Sequence, residues 1–141
     1  MLHDNFNMTG HLSIALNDEV VQEVPNLVVT AGKGFVASRM KDASTSAMSH
    51  MAIGTGSTAA AAGNTALGSE ADRNTLTSTT VSGATITYVA TFGASEGTGA
   101  ITEAALLNAG SSGTMLCRTV FAVVNKGSQD SMTITWTVTV S

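Results

Sequence analysis

The closing stretch, Ser131-Met-Thr-Ile-Thr-Trp-Thr-Val-Thr-Val-Ser141, constrains the fold more than any other part of the chain. Met132, Ile134, Trp136, Val138 and Val140 alternate with Thr133, Thr135, Thr137 and Thr139. Side chains in a strand point to opposite faces in turn, so this is a strand with one wholly apolar face and one hydroxyl face. It also carries the only tryptophan, a side chain whose burial contributes heavily to a core. Such a strand needs a sheet beside it and a second layer beneath it.

The rest of the chain supplies strands at near-regular spacing. Residues 9–16 alternate, with Leu12, Ile14 and Leu16 on one face. Asn17-Asp18 is a turn and Val20 to Val24 a return strand, so 9–24 predicts a β-hairpin ended by Pro25. Leu27 to Val29 resumes extended structure. One helix is expected near 30–40, with Thr30 as N-cap, Phe35, Val36, Arg39 and Met40 at helical spacing, and Gly32 and Gly34 as weak points. Residues 41–47 read as a polar loop and Met48 to Ile53 as a short apolar strand. Residues 54–72 read as a loop around the low-complexity Ala59 to Gly63. Further strands are expected at 75–81, 84–92 and 115–124, and 100–108 fits helix or strand. The last two strands, 115–124 and 131–140, are expected to pair as a hairpin, with Trp136 packed across the core on Tyr88 and Phe92 or Phe121. The class is mainly β: an antiparallel sandwich with immunoglobulin-like or jelly-roll-like connections, an N-terminal arm over 1–10 and a single domain over 11–141.

Composition narrows the role. Charged residues make up 11% of 141 positions while 43% are hydrophobic, a balance opposite to that of disordered chains and unusual for a free monomer. That points to assembly. The basic residues Lys33, Arg39, Lys41, Arg73, Arg118 and Lys126 are scattered, so no stripe exists to follow a phosphate backbone. No apolar run reaches the length of a membrane-spanning helix. The first residues lack the basic and apolar regions of a secretory leader. The single Cys117 excludes an intrachain disulfide and fits a small buried hydrophobe.

Catalytic patterns do not hold together. Gly93-Ala-Ser95-Glu-Gly97 copies the nucleophile-elbow spelling, but all three histidines precede it and glycines follow, so it reads as a turn. Ala31-Gly-Lys33-Gly34 lacks the first glycine and the hydroxyl residue of a phosphate loop. Gly54-Thr-Gly56-Ser-Thr58 has no third glycine in register for a dinucleotide. His3, Asp4 and His11 have no ligand spacing, and His50 between Met48 and Met51 reads as a packed histidine. Glu70, Asp72, Glu96 and Glu103 fall near turns with no visible partner arrangement for acid–base work. No cofactor, metal or enzyme activity is expected.

Three stretches carry a resemblance: Asn26-Leu-Val-Val-Thr-Ala-Gly-Lys-Gly-Phe-Val-Ala-Ser-Arg-Met40; Met48-Ser-His-Met-Ala-Ile-Gly-Thr-Gly-Ser-Thr-Ala leading to Asn64-Thr-Ala-Leu-Gly-Ser-Glu70; and Ile101-Thr-Glu-Ala-Ala-Leu-Leu-Asn108 followed by Gly113-Thr-Met-Leu-Cys-Arg-Thr-Val-Phe121. Their Ile-x-Glu-x-x-Leu and Gly-x-x-Leu-x-Arg pattern resembles β-modules of small tailed-bacteriophage virion proteins found in marine and cyanobacterial phages. The resemblance implies that 100–108 is a strand. It also implies a non-enzymatic structural role in the virion after synthesis in the host cytoplasm. Symmetric homo-oligomers, trimers foremost, would sit on the major capsid protein lattice as a decoration or cement protein. The alternatives are a tail, baseplate or tail-fibre component and, more remotely, a carbohydrate-binding sandwich. The candidate interface is Phe6 and Met8 in the arm together with Thr133, Thr135, Thr137 and Thr139, whose row is either an intersubunit surface or a solvated face.

Overall fold

The computed structural model describes residues 6–41 and 45–141. Ten strands and one helix follow in the order β1 (Met8–Leu16), β2 (Glu19–Pro25), β3 (Leu27–Val28), α1 (Thr30–Lys41), β4 (His50–Gly54), β5 (Glu70–Thr75), β6 (Ser78–Ser82), β7 (Thr85–Phe92), β8 (Gly99–Leu107), β9 (Met115–Lys126) and β10 (Met132–Val140). They form two five-stranded antiparallel sheets, β2-β1-β10-β7-β6 and β3-β9-β8-β4-β5. The protein is mainly β, a sandwich of two antiparallel sheets with one short helix.

The closing strand is the middle of its sheet. β10 pairs with β1 along its whole length, Leu12 opposite Trp136, and with β7 on the other side, Trp136 opposite Tyr88. Trp136, Ile134 and Met132 are fully buried and join Leu12, Ile14, Phe92 and Phe121 in one core. The Trp136 indole N–H donates to Asn26 Oδ1 at 3.0 Å, which pairs the indole donor, while Asn26 Nδ2 is buried with no partner among the described residues. The β1–β2 turn is the one expected. Asn17 and Asp18 have φ of 51° and 68°, the left-handed pair of a type I′ hairpin.

Four expectations are corrected. β9 and β10 do not form a hairpin; they lie in opposite sheets. Stacking the two strands across the core buries the apolar faces of both, and the connection between them is an arch. Lys126 Nζ donates to Gly93 O at 2.7 Å, and Asn17 Nδ2 donates to Asp130 Oδ1 at 2.9 Å. Consequently Tyr88 lies opposite Trp136 within its own sheet, and Phe92 lies opposite Met132 in that same sheet. Of the three aromatics only Phe121 belongs to the opposite sheet, in the same core. Of the arm expected over 1–10, Met8 to Gly10 belong to β1 and Asn7 exchanges backbone bonds with Ser141 at 2.7 and 2.8 Å, while 1–5 lie outside the described residues. Finally, Glu70–Thr75, read as the end of a loop, is strand β5 on β4. Its charged sequence carries no β-propensity; pairing with a buried neighbour decides the matter.

α1 caps one end of the sandwich, and its glycines are unequal. A Cβ on Gly32 would collide with the Leu116 carbonyl, whereas Gly34 faces open space. Val29 N–H donates to that same carbonyl at 3.2 Å. Gly32 is therefore what lets the helix lie directly on β9.

Candidate functional site

The outer faces of the two sheets have different chemistry. On the β8 side, Glu103 and Arg118 lie on neighbouring strands and both are buried. The Glu103 carboxylate accepts Arg118 Nη2 at 2.8 Å and the backbone N–H groups of Gly56, Gly68 and Ser69 at 2.7–2.8 Å. Arg118 also donates to Asn64 Oδ1 at 2.9 Å and Thr58 O at 3.0 Å. Burial by itself would raise the Glu103 pKa, but the Arg118 bond and the three backbone donors outweigh it and hold the carboxyl below its ordinary value. The pair ties the 55–69 loop onto the sheet. A Cβ on Gly56 would strike the carboxylate, so the glycines that imitate a dinucleotide fingerprint serve close approach to Glu103. Under this loop and the start of α1 sits a second apolar cluster: Val29, Ala52, Ala105, Leu107 and Met115, with Ala31 and Leu67 against it.

These two residues are the fixed letters of the Glu-x-x-Leu and Leu-x-Arg pattern. No arrangement for acid–base work is visible around Glu103 in the sequence, and this structural ion pair was not foreseen from it. The available signal was the coincidence of one acid and one base in adjacent β-prone segments.

The outer face of the other sheet carries no loop that ties down a buried ion pair. Its three central strands lay out rows across the sheet: Thr9–Thr139–Thr85, His11–Thr137–Thr87, Ser13–Thr135–Val89 and Ala15–Thr133–Thr91. None of these residues is an acid, lysine or arginine, and Thr133, Thr135, Thr137 and Thr139 are all half-buried by their neighbours. Hydroxyls bond to each other between strands, Thr85 with Thr139 at 3.2 Å and Thr91 with Thr133 at 3.0 Å. β-branched side chains held this way have little rotamer freedom left to lose and no charge to desolvate.

The other candidate interface residues do not join this row. Met8 pairs with Val140 and packs on the core side. Phe6 is exposed and lines a hollow with Val28, Lys33 and Val36. Beside it, α1 leaves an apolar cleft of about 430 Å³ walled by Phe35, Val36, Met40, Val81, Ile86 and Val140.

The remaining candidates fall into structural places. Gly93–Gly97 is a turn in which Gly93 N–H donates to Glu96 Oε1 at 2.7 Å. Lys33 lies within α1. His50 is half-buried, its Nδ1 2.7 Å from Ser49 Oγ. Cys117 is buried, and burial drives its thiol pKa well up. Tyr88 is pushed to about 12 by burial, with Cys117 adding to it. Of the basic residues, Arg118 and Lys126 are buried and Arg73 is paired to Glu70 at 2.7 Å. His3 and Asp4 lie outside the described residues. Among the described residues no cluster of three metal-ligating side chains occurs, and no helix is long and apolar enough to cross a membrane. No family model, curated protein or solved structure matches this chain.

Proposed function

We propose that this chain is a non-enzymatic structural protein of a tailed-phage virion, most specifically a decoration protein that coats the capsid lattice as a homo-oligomer. The virion class rests on the resemblance of the Glu103 and Arg118 stretches to phage β-modules. The observation that carries the docking role is the neutral hydroxyl face built on Thr133, Thr135, Thr137 and Thr139. Stiff side chains with no acid, lysine or arginine among the three central strands lose little on desolvation and little entropy on contact, which suits packing on a repeating protein surface.

Co-sedimentation with purified expanded capsids tests this. The wild-type chain is expected to pellet with capsids, and a Thr135→Lys, Thr137→Lys double variant to remain in the supernatant with its fold intact. Pelleting with purified tails and not with capsids would overturn the decoration role. Undiminished capsid binding by the double variant would overturn the assignment of the face.

A further inference from the structure

The sandwich has two edge strands in each sheet, and three of the four are blunted against pairing. β2 carries Glu19 and Glu23, has an irregular register against β1 and ends in Pro25. β3 is two residues long and runs almost at once into α1. β5 carries Glu70, Asp72 and Arg73, and its arginine is tied back to Glu70 and to the carbonyls of Ala109 and Ser112 at 3.0 and 2.9 Å. β6 has none of these devices. Ser78-Thr-Thr-Val-Ser82 is β-prone, uncharged and free of proline, and all five residues are exposed.

Backbone direction fixes which groups on β6 are free. Val140 N–H donates to Ala84 O at 2.9 Å, so even-numbered residues of β7 aim their backbone groups at β10 and odd-numbered ones at β6. Thr85, Thr87 and Val89 pair with Ser82, Thr80 and Ser78. The N–H and C=O groups of Thr79 and Val81 therefore point away from the sheet. Their side chains face the core side and line the apolar cleft under α1, where Val81 is 67% exposed and Met40 81%.

We propose that β6 is a self-pairing edge, on which a second copy of this chain docks its own β6 antiparallel about a two-fold axis at Thr80. Thr79 of each copy then exchanges both backbone hydrogen bonds with Val81 of the other, and Thr80 faces Thr80 across the axis. The register uses every free backbone group between these positions, and the strand is self-complementary because it carries no charge to oppose itself. The pairing joins two sheets into one continuous sheet and makes their threonine faces contiguous. It also sets Val81 of each copy beside the other's cleft. A two-fold interface replaces the three-fold arrangement that the resemblance favours. The inference stands on the edge geometry and not on the virion role, so a dimer that fails to bind capsids would count against that role alone.

Sedimentation equilibrium across a wide concentration range tests it. Wild type is expected to approach twice the monomer mass. Thr80→Lys and Thr80→Glu, at an exposed position, should each be monomeric with unchanged circular dichroism, and an equimolar mixture of the two should recover the dimer mass. Amide exchange at Thr79 and Val81 of the unmodified protein should slow as concentration rises. Monomeric mass throughout, a three-fold mass, or a dimer indifferent to T80K and T80E would each overturn the proposal.

Discussion

The two outer faces of this sandwich share a core and differ in what lies over them. One is roofed: the 55–69 loop is drawn down by a buried carboxylate that accepts three backbone N–H groups and an arginine. The other has no acid, lysine or arginine on the outward rows of its three central strands, where threonine hydroxyls bond between strands. A sheet whose second face is covered reads as a near-continuous apolar run, as β8 does in Ile101-Thr-Glu-Ala-Ala-Leu-Leu107. A sheet whose second face is open alternates, as β10 does. The chain thus spends its buried ion pair on closing one side and leaves the other free to meet a surface.

Breaking the roof should have the largest effect. Arg118→Ala leaves the Glu103 carboxylate buried without its counter-charge, and the expected loss is about 3–5 kcal/mol by urea unfolding. Protease cleavage within 55–69 should accelerate in the same variant.

The same carboxylate predicts an acid dependence. Its folded pKa is depressed, so the stabilisation it gives is complete above the unfolded value of about 4.3 and is lost as pH falls through the folded pKa. Unfolding free energy measured downward from neutral pH should decline below about pH 4.3, and Glu103→Gln should flatten that decline while lowering stability at neutrality. An unchanged acid slope in the variant would place the proton uptake elsewhere.

The helix glycines sharpen the comparison further, because α1 packs on β9, a strand of the roofed sheet. Gly34→Ala, facing open space, should stabilise the protein by about 0.8–1 kcal/mol, the helix-propensity difference alone. Gly32→Ala should destabilise it, since the added methyl meets the Leu116 carbonyl. Opposite signs from two glycines in one helix, read from paired thermal melts, check the packing of α1 on β9.

The smallest expected effect is on the open face. Thr135→Val and Thr137→Val should shift stability by no more than about 0.5 kcal/mol, as surface changes away from special features do. A larger loss would mean that these two hydroxyls also help to hold the sheet together, as the Thr85–Thr139 and Thr91–Thr133 bonds do, and are not simply a surface it presents.

Much of this molecule was legible in order along the chain. The alternation of 131–140 gives β10 its buried and open faces, Asn17-Asp18 gives the first turn, and the apolar spacing after Thr30 gives α1. Thr30, expected as the N-cap, is instead the first helical residue, and Val29 O accepts the first helical N–H, from Lys33 at 3.1 Å. Strand β5 was not legible, because Glu-Ala-Asp-Arg-Asn-Thr is held extended by its neighbour β4 and by nothing intrinsic. The threonine row was visible as a row, but its flanking hydroxyls from β1 and β7 come from segments far apart in sequence.

What the sequence by itself determined is local: periodicities, turns, a lack of charge and the strands they imply, all set by interactions among residues close along the chain. The tertiary structure alone decided the pairings: β9 and β10 placed in opposite sheets, and Glu103 with Arg118 brought against the backbone of a distant loop. The physical reason is that an apolar face specifies only that it must be covered. Which neighbour covers it is settled by the competition of every strand for the same core, and that competition leaves β6 uncovered.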